Sequence, residues 1–450
     1  MGGDELFNSS DAEKEIERLN LRSKLVTWTT PTNQEIELII PPTVYPPRED
    51  TELIAKRISS LGPGNNRTFL EIGSGSGALS IFAASLGWKA YACDVNPYAV
   101  VATSGNASKN GYEIVVKEGG IGPESFPFRK QKFDLIVWNL PYIENQNFDE
   151  VLGPMEEAAL IDSDILGLGT RALNSIVSNE LLASNGRVLL LSRKNGVKNT
   201  TNLSERVWDE LAFSDGETLA IYCYWKPYEN CENISLEITD STNLQIKEKS
   251  GVGSHISAKH QTHGKGRRSR EWISIDSSYA GSWIVYEGND FSPGIIQLVG
   301  GLAVVNAIDS NKLSIKWPND IYIGKRKLAG VLVEGYTINN FSRVVLGIGV
   351  NLAREGNVPK EFACVDELKH YSFEDFDAKL TKEIASLFEE KPDLPPINKH
   401  TILNSVHSLI ARFGKPFYND QIFEAFELNS SGELVLSDTI IDDGEEIDWV

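Results

Sequence analysis

The chain has 450 residues, too many for one ordinary hydrophobic core, so its length predicts two or three domains. Its 41% hydrophobic and 24% charged residues exclude a disordered chain, and no run approaches the roughly 20 apolar residues that span a membrane. A formal net charge of −20 excludes nucleic-acid binding through the bulk surface, because phosphates would be repelled, and makes any concentrated basic run conspicuous.

The opening Met1-Gly-Gly-Asp-Glu has neither a basic nor an apolar segment, so no signal peptide is expected. Cys93, Cys223, Cys231 and Cys364 lie far apart without metal-like pairing, which fits reduced thiols in a cytoplasmic protein and no side-chain metal motif. Residues 1–40 read as a polar N-terminal extension, with a helical pattern over 13–21 and a strand-like Glu35-Ile-Glu-Leu-Ile-Ile. A first domain is expected over residues 41–228, where short apolar runs alternate with amphipathic stretches. Thr68-Phe-Leu-Glu-Ile, Ala90-Tyr-Ala-Cys, Phe133-Asp-Leu-Ile-Val-Trp and Arg187-Val-Leu-Leu-Leu are its predicted strands. That alternation predicts a doubly wound α/β sheet, closed by an edge strand at Leu219-Ala-Ile-Tyr-Cys-Tyr-Trp. A seam is expected near residues 226–232, a second domain over 233–392, and a stiff connector at Lys391-Pro-Asp-Leu-Pro-Pro. Residues 400–450 carry short strand-like runs broken by Asn429-Ser-Ser-Gly and Asp442-Asp-Gly turns, which suits a small β barrel.

Glu71-Ile-Gly-Ser-Gly-Ser-Gly77 follows a predicted strand and opens a helix. Its glycines let the backbone turn tightly and approach a cofactor at the carboxyl end of the strand. Asp94 ends the next strand, where a carboxylate can accept both hydroxyls of a ribose. These two features fit a methyl-donor site and a nicotinamide site alike. Asn139-Leu-Pro-Tyr142 decides between them, because it ends a strand on the same sheet edge. A methyl acceptor that is an amide or amine nitrogen needs hydrogen-bond acceptors for its N–H groups. The Asn139 oxygen and a following carbonyl supply two, and Tyr142 can pack on the planar group; a dehydrogenase has no use for that set. The plain alternative is a strand ending in an ordinary proline turn.

Residues 42–225 resemble the HemK-related N-methyltransferases, in the archaeal and eukaryotic branch that methylates the glutamine of class-1 release factors. That branch carries a Tyr-x-Pro-x-Glu-Asp-Thr segment ahead of the glycine loop, matched by Val44-Tyr-Pro-Pro-Arg-Glu-Asp-Thr51. The resemblance implies a class I fold, S-adenosylmethionine (AdoMet) as cofactor and a class-1 peptide release factor as partner. By the same likeness Thr51, Glu71, Gly73, Gly75, Gly77 and Asp94 would contact AdoMet. Glu118 would lie on the adenine side, although Glu-Gly-Gly departs from the family's Asp region there. Asn139 would touch both AdoMet and acceptor, and Leu140, Pro141 and Tyr142 would bind the acceptor. The family motif is Asn-Pro-Pro-Tyr, so Leu140 loses the locked φ of a proline. Reduced rigidity is expected, and proline at 140 should raise or preserve activity.

The basic run is His263-Gly-Lys-Gly-Arg-Arg-Ser-Arg-Glu-Trp272, four cations and two glycines in ten residues. It suits a flexible loop that closes over phosphate, and by itself it would equally suit a nucleic-acid patch or a solvated charge run. Lys316-Trp-Pro-Asn-Asp320 follows the strand-like Lys312-Leu-Ser-Ile; a lysine ending a buried strand calls for an anionic partner. Val344-Val-Leu-Gly-Ile-Gly-Val-Asn351 adds another core strand.

Ser241-Thr-Asn, Gln261-Thr-x-Gly-x-Gly-Arg-Arg, Lys-Trp-Pro-Asn-Asp, Lys-Leu-Ala-Gly-Val-Leu and Gly-Ile-Gly-Val-Asn stand in the order seen in biotin–protein ligases. The chain resembles that family from residue 233 onward; the related lipoate ligases lack the basic loop and the Trp-Pro-Asn-Asp run. The resemblance implies an α+β catalytic domain, a small SH3-like barrel, biotin as substrate, ATP with Mg, and a biotin carboxyl carrier protein as partner. Ser241, Thr242, Asn243 and Gln261 would hold the ureido end of biotin. Gly264, Lys265, Gly266, Arg267 and Arg268 would belong to the loop that orders over biotin and the adenylate, and Lys316 would bind the carboxylate and then the α-phosphate. Lys316, Arg267 and Asn139 are the expected catalytic groups. Lys265 departs from the family's arginine and Ser269 from its glycine, which suggests weaker retention of the intermediate. Some members carry a helix-turn-helix repressor domain where this chain has its first domain, so no operator DNA is expected. The reading is a multidomain α/β chain with two activities; the alternative is an active ligase fused to a degenerate methyltransferase fold that only binds partners.

Overall fold

The computed structural model describes residues 22–121, 126–141, 167–214, 216–338 and 340–450. The helical pattern over 13–21 and Tyr142 lie outside the described residues. The chain divides into two compact units, residues 1–226 with 392–395, and residues 227–391 with 396–450. No helix among the described residues is long and apolar enough to cross a membrane.

The first unit opens with a hairpin of β1 (Lys24–Thr29) and β2 (Glu35–Ile40). In chain order there follow α1 (Glu49–Ser60), β3 (Thr68–Ile72), α2 (Ala78–Ser85), β4 (Lys89–Asp94) and α3 (Pro97–Lys109). Then come β5 (Val115–Glu118), β6 (Phe133–Asn139), α4 (Leu168–Ser178), β7 (Leu182–Arg193), β8 (Ser204–Ala212) and β9 (Thr218–Trp225). The seven-stranded sheet runs β5-β4-β3-β6-β7-β9-β8, parallel from β5 to β7 and antiparallel beyond.

Successive side chains point to opposite faces of a strand, so near-continuous apolar runs imply cover on both sides. Phe69, Leu135, Val137 and Leu189 accordingly share one core with residues of α1, α2 and α3. Leu70, Ile136, Val188 and Leu190 share the other with α4. The alternate residues Ile36, Leu38 and Ile40 of β2 complete the first core.

The expected edge strand at 219–225 is internal: β9 lies between β7 and β8. The true edge, Ser204-Glu-Arg-Val-Trp-Asp-Glu-Leu-Ala, is masked in sequence by its four charged residues, a normal property of an edge strand. The expected connector also does more than connect. Leu394 joins the first core, and Asp393 Oδ2 accepts from the buried Arg187 guanidinium at 2.6 Å.

The second unit contains β10 (Asn233–Thr239), α5 (Thr242–Gln245), β11 (His255–Gln261), β12 (Gly264–Lys265), β13 (Glu271–Trp272), β14 (Ser278–Gly288) and α6 (Pro293–Ile308). It continues with β15 (Leu313–Lys316), β16 (Asp320–Ile323), β17 (Arg326–Ile338), β18 (Phe341–Asn351), α7 (Phe373–Phe388) and α8 (Lys399–Phe413). Its sheet runs β10-β11-β14-β18-β17-β16-β15, with β10 and β11 parallel and the remaining pairs antiparallel. α6 is apolar almost all round and buried along its length, as a helix enclosed on every side must be. Ser292 caps it by accepting from the Ile295 N–H, and Pro293 takes the first turn, where no N–H is missed.

The C-terminal strands β19 (Pro416–Tyr418), β20 (Gln421–Ile422), β21 (Glu427–Leu428), β22 (Leu434–Leu436), β23 (Thr439–Ile441) and β24 (Asp448–Trp449) form two three-stranded sheets, β20-β19-β24 and β21-β22-β23. Leu434, Leu436 and Ile441 join the core of the second unit, and Trp317 Nε1 donates to the Gly432 carbonyl at 3.0 Å.

Candidate functional sites

In the first unit the sequence-derived residues gather at the carboxyl edge of the parallel strands. Gly73, Gly75 and Gly77 all have positive φ, a region open to glycine at no steric cost. At Gly73 a Cβ would also lie 2.8 Å from Trp138 Nε1. Gly75 N–H donates to Asp94 Oδ2 at 2.8 Å and Asn96 N–H to Asp94 Oδ1 at 2.9 Å, so the acidic end of β4 is tied to the loop. Glu118, exposed at the end of β5, is the register partner of Asp94.

Glu71 Oε2 accepts from the Ser80 N–H at 2.9 Å and from the Ser80 hydroxyl. Burial pushes its carboxyl up to about 8, the Ser80 bonds resist, and nearby Asp94 adds to the rise. Burial likewise raises Asp94, with the N–H groups of Asn96 and Gly75 pulling the other way. Two buried carboxyls side by side form an environment that a cationic ligand relieves.

The segment ahead of α1 closes over this edge, since the Thr43 carbonyl accepts from Asn96 Nδ2 at 3.2 Å. Thr51 sits in the first turn of α1, its hydroxyl accepting from the Arg48 N–H at 3.4 Å. Its neighbour Asp50 was not singled out in sequence, although it stands inside the quoted motif. Asp50 Oδ2 accepts from Asn139 Nδ2 at 2.8 Å. A carboxylate only accepts, so the amide must turn its NH2 to Asp50 and its oxygen away. Asn139 Oδ1 is then buried with no hydrogen-bond partner among the described residues. Leu140 is buried, packs in the second core and donates its N–H to the Leu191 carbonyl at 3.0 Å; Pro141 is buried beside it.

In the second unit a cleft of about 230 Å³ is walled by three groups of residues. One wall is Ser241, Thr242, Asn243 and Gln261, all buried. Gln261 Oε1 accepts from the Thr242 N–H at 2.8 Å and from its hydroxyl at 3.1 Å. Ser282, unremarked in sequence, places its hydroxyl 2.7 Å from Thr242 Oγ1 and 2.5 Å from Asn243 Oδ1. The second wall is the basic loop, with Lys265, Gly266, Arg267, Arg268 and Arg270. Gly264 does not line the cleft but pairs with Trp272 where β12 meets β13. Burial holds Arg267 below the ordinary arginine range, with Asp443 opposing. The third wall is Lys316, Trp317, Pro318, Asn319 and Asp320. Asn319 Nδ2 donates to the Val331 carbonyl at 3.2 Å, and Gln297 Nε2 to the Pro318 carbonyl at 3.2 Å, which hold that run still.

The two glycines of Gly-Ile-Gly-Val-Asn make room rather than turns. A Cβ on Gly347 would stand 2.2 Å from Asn243 Oδ1, and one on Gly349 would stand 2.5 Å from the Trp272 indole. The cleft also takes in Asp443, Gly444 and Glu445 from the C-terminal turn. Arg268 Nη2 lies 2.5 Å from Asp443 Oδ2, and Arg268 Nη1 lies 3.2 Å from Glu445 Oε2. Arg270 also pairs with Glu445. Sequence reading recorded that turn only as a loop signal. Lys316 is part-buried and has no ion pair among the described residues.

Residues 235–351 match the Biotin/lipoate A/B protein ligase family, and residues 51–142 match the Ribosomal protein L11 methyltransferase (PrmA) family. The "Bifunctional ligase/repressor BirA" of Escherichia coli K12 is 34% identical over 128 residues, 26% of this chain and 40% of that protein. The "Ribosomal protein L11 methyltransferase" of Thermus thermophilus is 32% identical over 183 residues, 36% of this chain and 70% of that protein. The "Release factor glutamine methyltransferase" of Geobacter sulfurreducens is 30% identical over 124 residues, 27% of this chain and 42% of that protein. Over its ligase part the chain thus spans 40% of the length of that curated relative. The chain belongs in its first part to the ribosomal protein L11 methyltransferase (PrmA) family and carries in its second a domain of the biotin/lipoate protein ligase family.

Proposed function

We propose that the chain is a bifunctional enzyme, a biotin–protein ligase working through biotinyl-5′-AMP and an AdoMet-dependent methyltransferase acting on a protein glutamine nitrogen. The proposed domains are a class I methyltransferase over 41–228 with the β1–β2 hairpin joined to it, a ligase catalytic domain over 233–392 and an SH3-like barrel over 400–450. The strand orders described above support these assignments. A cytoplasmic protein with a biotin carboxyl carrier protein and a class-1 release factor as partners, and no operator DNA, completes the reading.

The observation that carries it is Lys316, an ammonium with no ion pair among the described residues, between a hydrogen-bonding amide pocket and a basic loop. A biotin carboxylate oxygen attacks the α-phosphorus of ATP and pyrophosphate leaves; a carrier lysine Nε then attacks the acyl carbon and AMP leaves. Lys316 holds two anions together as they react, and the loop cations meet the phosphate charge as it develops. Mg would accompany ATP, held through its phosphates. Loop closure keeps water from the mixed anhydride. Incubating the full chain with biotin, MgATP and a biotin carboxyl carrier protein should give a biotinylated carrier and biotin-dependent ATP–pyrophosphate exchange. Absence of both overturns the ligase reading.

The first site fits AdoMet: the glycine loop leaves backbone room, Asp94 and Glu118 are register partners whose carboxylates would serve the ribose and the adenine side, and buried Glu71 favours a cation. AdoMet, when bound, supplies an electrophilic methyl on its sulfonium. Asn139 Oδ1, oriented by Asp50, accepts an N–H of the acceptor and aims its nitrogen. Leu140, Pro141 and Tyr142 would line the acceptor side. The test is AdoMet binding by calorimetry together with mass spectrometry of a class-1 release factor. Binding without methylation of any acceptor would favour the second reading, a fold that only recruits partners, for which the leucine at 140 is the supporting feature.

A further inference from the structure

Glu334 stands on β17 behind the cleft and does not line it. Its Oε2 accepts from Asn243 Nδ2 at 2.7 Å, and Lys247 Nζ lies 3.8 Å from its Oε1. Asn243 is only 4% exposed, and its oxygen lies against the bare backbone of Gly347, where no Cβ would fit. The side chain therefore has no room to swing aside; its remaining freedom is to exchange its oxygen and nitrogen in place.

That exchange would reverse both contacts of the Asn243 amide. With Glu334 as an acceptor, Asn243 must present NH2 to it and oxygen to Ser282. The Ser282 hydroxyl then has its one proton to share between Asn243 Oδ1 at 2.5 Å and Thr242 Oγ1 at 2.7 Å. Thr242 in turn gives its proton to Gln261 Oε1, which also takes the Thr242 N–H. The carboxylate thus fixes the sense of two bonds, Asn243 to Glu334 and Ser282 to Asn243, because it can only accept. With the amide exchanged, Asn243 would point N–H at Ser282 and the hydroxyl would have to turn.

We propose that Glu334 is a positioning residue that sets the hydrogen-bond polarity of the pocket for the ureido group of biotin, through Asn243 and Ser282. The proposal rests on the biotin-binding reading of this cleft. It concerns the amide-lined wall and leaves the nucleotide side untouched, so its signature is a split between the two substrates.

The test measures biotin and MgATP affinity of the full chain by calorimetry. Glu334→Leu keeps much of the bulk and removes the acceptor; biotin binding should weaken at least about tenfold, the scale of one buried hydrogen bond, with MgATP affinity held within about twofold. Glu334→Gln retains an acceptor oxygen and should stay within about threefold of the parent. Asn243→Asp sets two carboxylates against each other and should lose biotin. Asn243→Asp with Glu334→Gln exchanges amide and carboxylate, keeps an acceptor toward Ser282, and should recover biotin binding to within about threefold. That double variant keeps the test decisive if Glu334→Leu fails to fold. Failure of the double variant to improve on Asn243→Asp, or unchanged biotin affinity in folded Glu334→Leu, overturns the positioning role alone. A parent protein that binds no biotin overturns the ligase reading, and this role with it.

Discussion

The N–H of Leu140 alters the meaning of a leucine in Asn-Leu-Pro-Tyr. It donates to the Leu191 carbonyl at 3.0 Å and so extends the β6–β7 ladder by one bond. Proline at that position has no N–H to give. Leu140→Pro should therefore cost about 1 kcal/mol in urea unfolding, a cost in stability that the sequence expectation for activity did not include. Glu71 leads to a second outcome. Its folded carboxyl titrates near 8 against an ordinary 4.5 because of burial, so the folded state holds the proton more tightly than the unfolded chain. The stability this contributes is complete below the unfolded value and is lost as pH rises toward 8. Glu71→Gln should flatten the fall in stability between pH 5 and pH 8, read by urea unfolding; an unchanged slope would remove Glu71 as its cause. For Lys316→Ala, biotin-dependent ATP–pyrophosphate exchange should drop at least about a hundredfold, the scale of losing one electrostatic stabiliser. Near-parental exchange would sink its assigned role.

The basic loop and the C-terminal acidic turn act at the scale of elements. Arg268 adopts a positive φ of 54°, an uncommon conformation for a side chain of its size, and both its terminal nitrogens reach acidic groups of the turn. Arg268 and Glu445 are more than half exposed, so these pairs are screened and individually weak. Weak pairs suit a loop that has to exchange protein carboxylates for substrate phosphates. Replacing Asp443 with Asn and Glu445 with Gln together should speed tryptic cleavage after Arg268 and Arg270 several-fold, roughly the effect of a small loss in local closing energy. The parent should approach the same rate in high salt. Equal rates for parent and double variant at low salt would show that the turn does not restrain the loop.

At the scale of the whole molecule, the chain returns to its first unit after completing most of the second, because residues 392–395 belong with residues 1–226. Those residues carry Asp393, the carboxylate of the buried Arg187 guanidinium, and Leu394 of the first core. Removing one partner of a buried pair leaves an uncompensated charge. Asp393→Ala should destabilise the first unit by about 2–3 kcal/mol, less than the roughly 3–5 of a fully buried pair, since Asp393 is part-exposed and Arg187 keeps two carbonyl acceptors. Cutting the chain near Tyr228 should do at least as much, so the first half expressed alone should bind AdoMet only weakly or unfold at lower urea than the full chain. Equal midpoints for the cut and intact forms would show that 392–395 is dispensable.

The sequence alone determined the parts governed by local pattern. Apolar runs of strand length announced β3, β4, β6 and β7, because a strand buried on both faces has no other way to read. Glycines with positive φ at 73, 75 and 77, and the bare backbone at 347 and 349, are places that favour glycine, and each belongs to a motif that the sequence displays. The tertiary structure decided the rest, and the reason is distance along the chain. Asn139 takes its orienting carboxylate from Asp50, 89 residues away, and Asn243 from Glu334, 91 residues away. The basic loop finds its acidic partners in a turn 177 residues further on. A carboxylate's effect depends on which amide or guanidinium lies within about 3 Å of it, and that is settled by the packing of strands, not by any pattern its neighbours in sequence display.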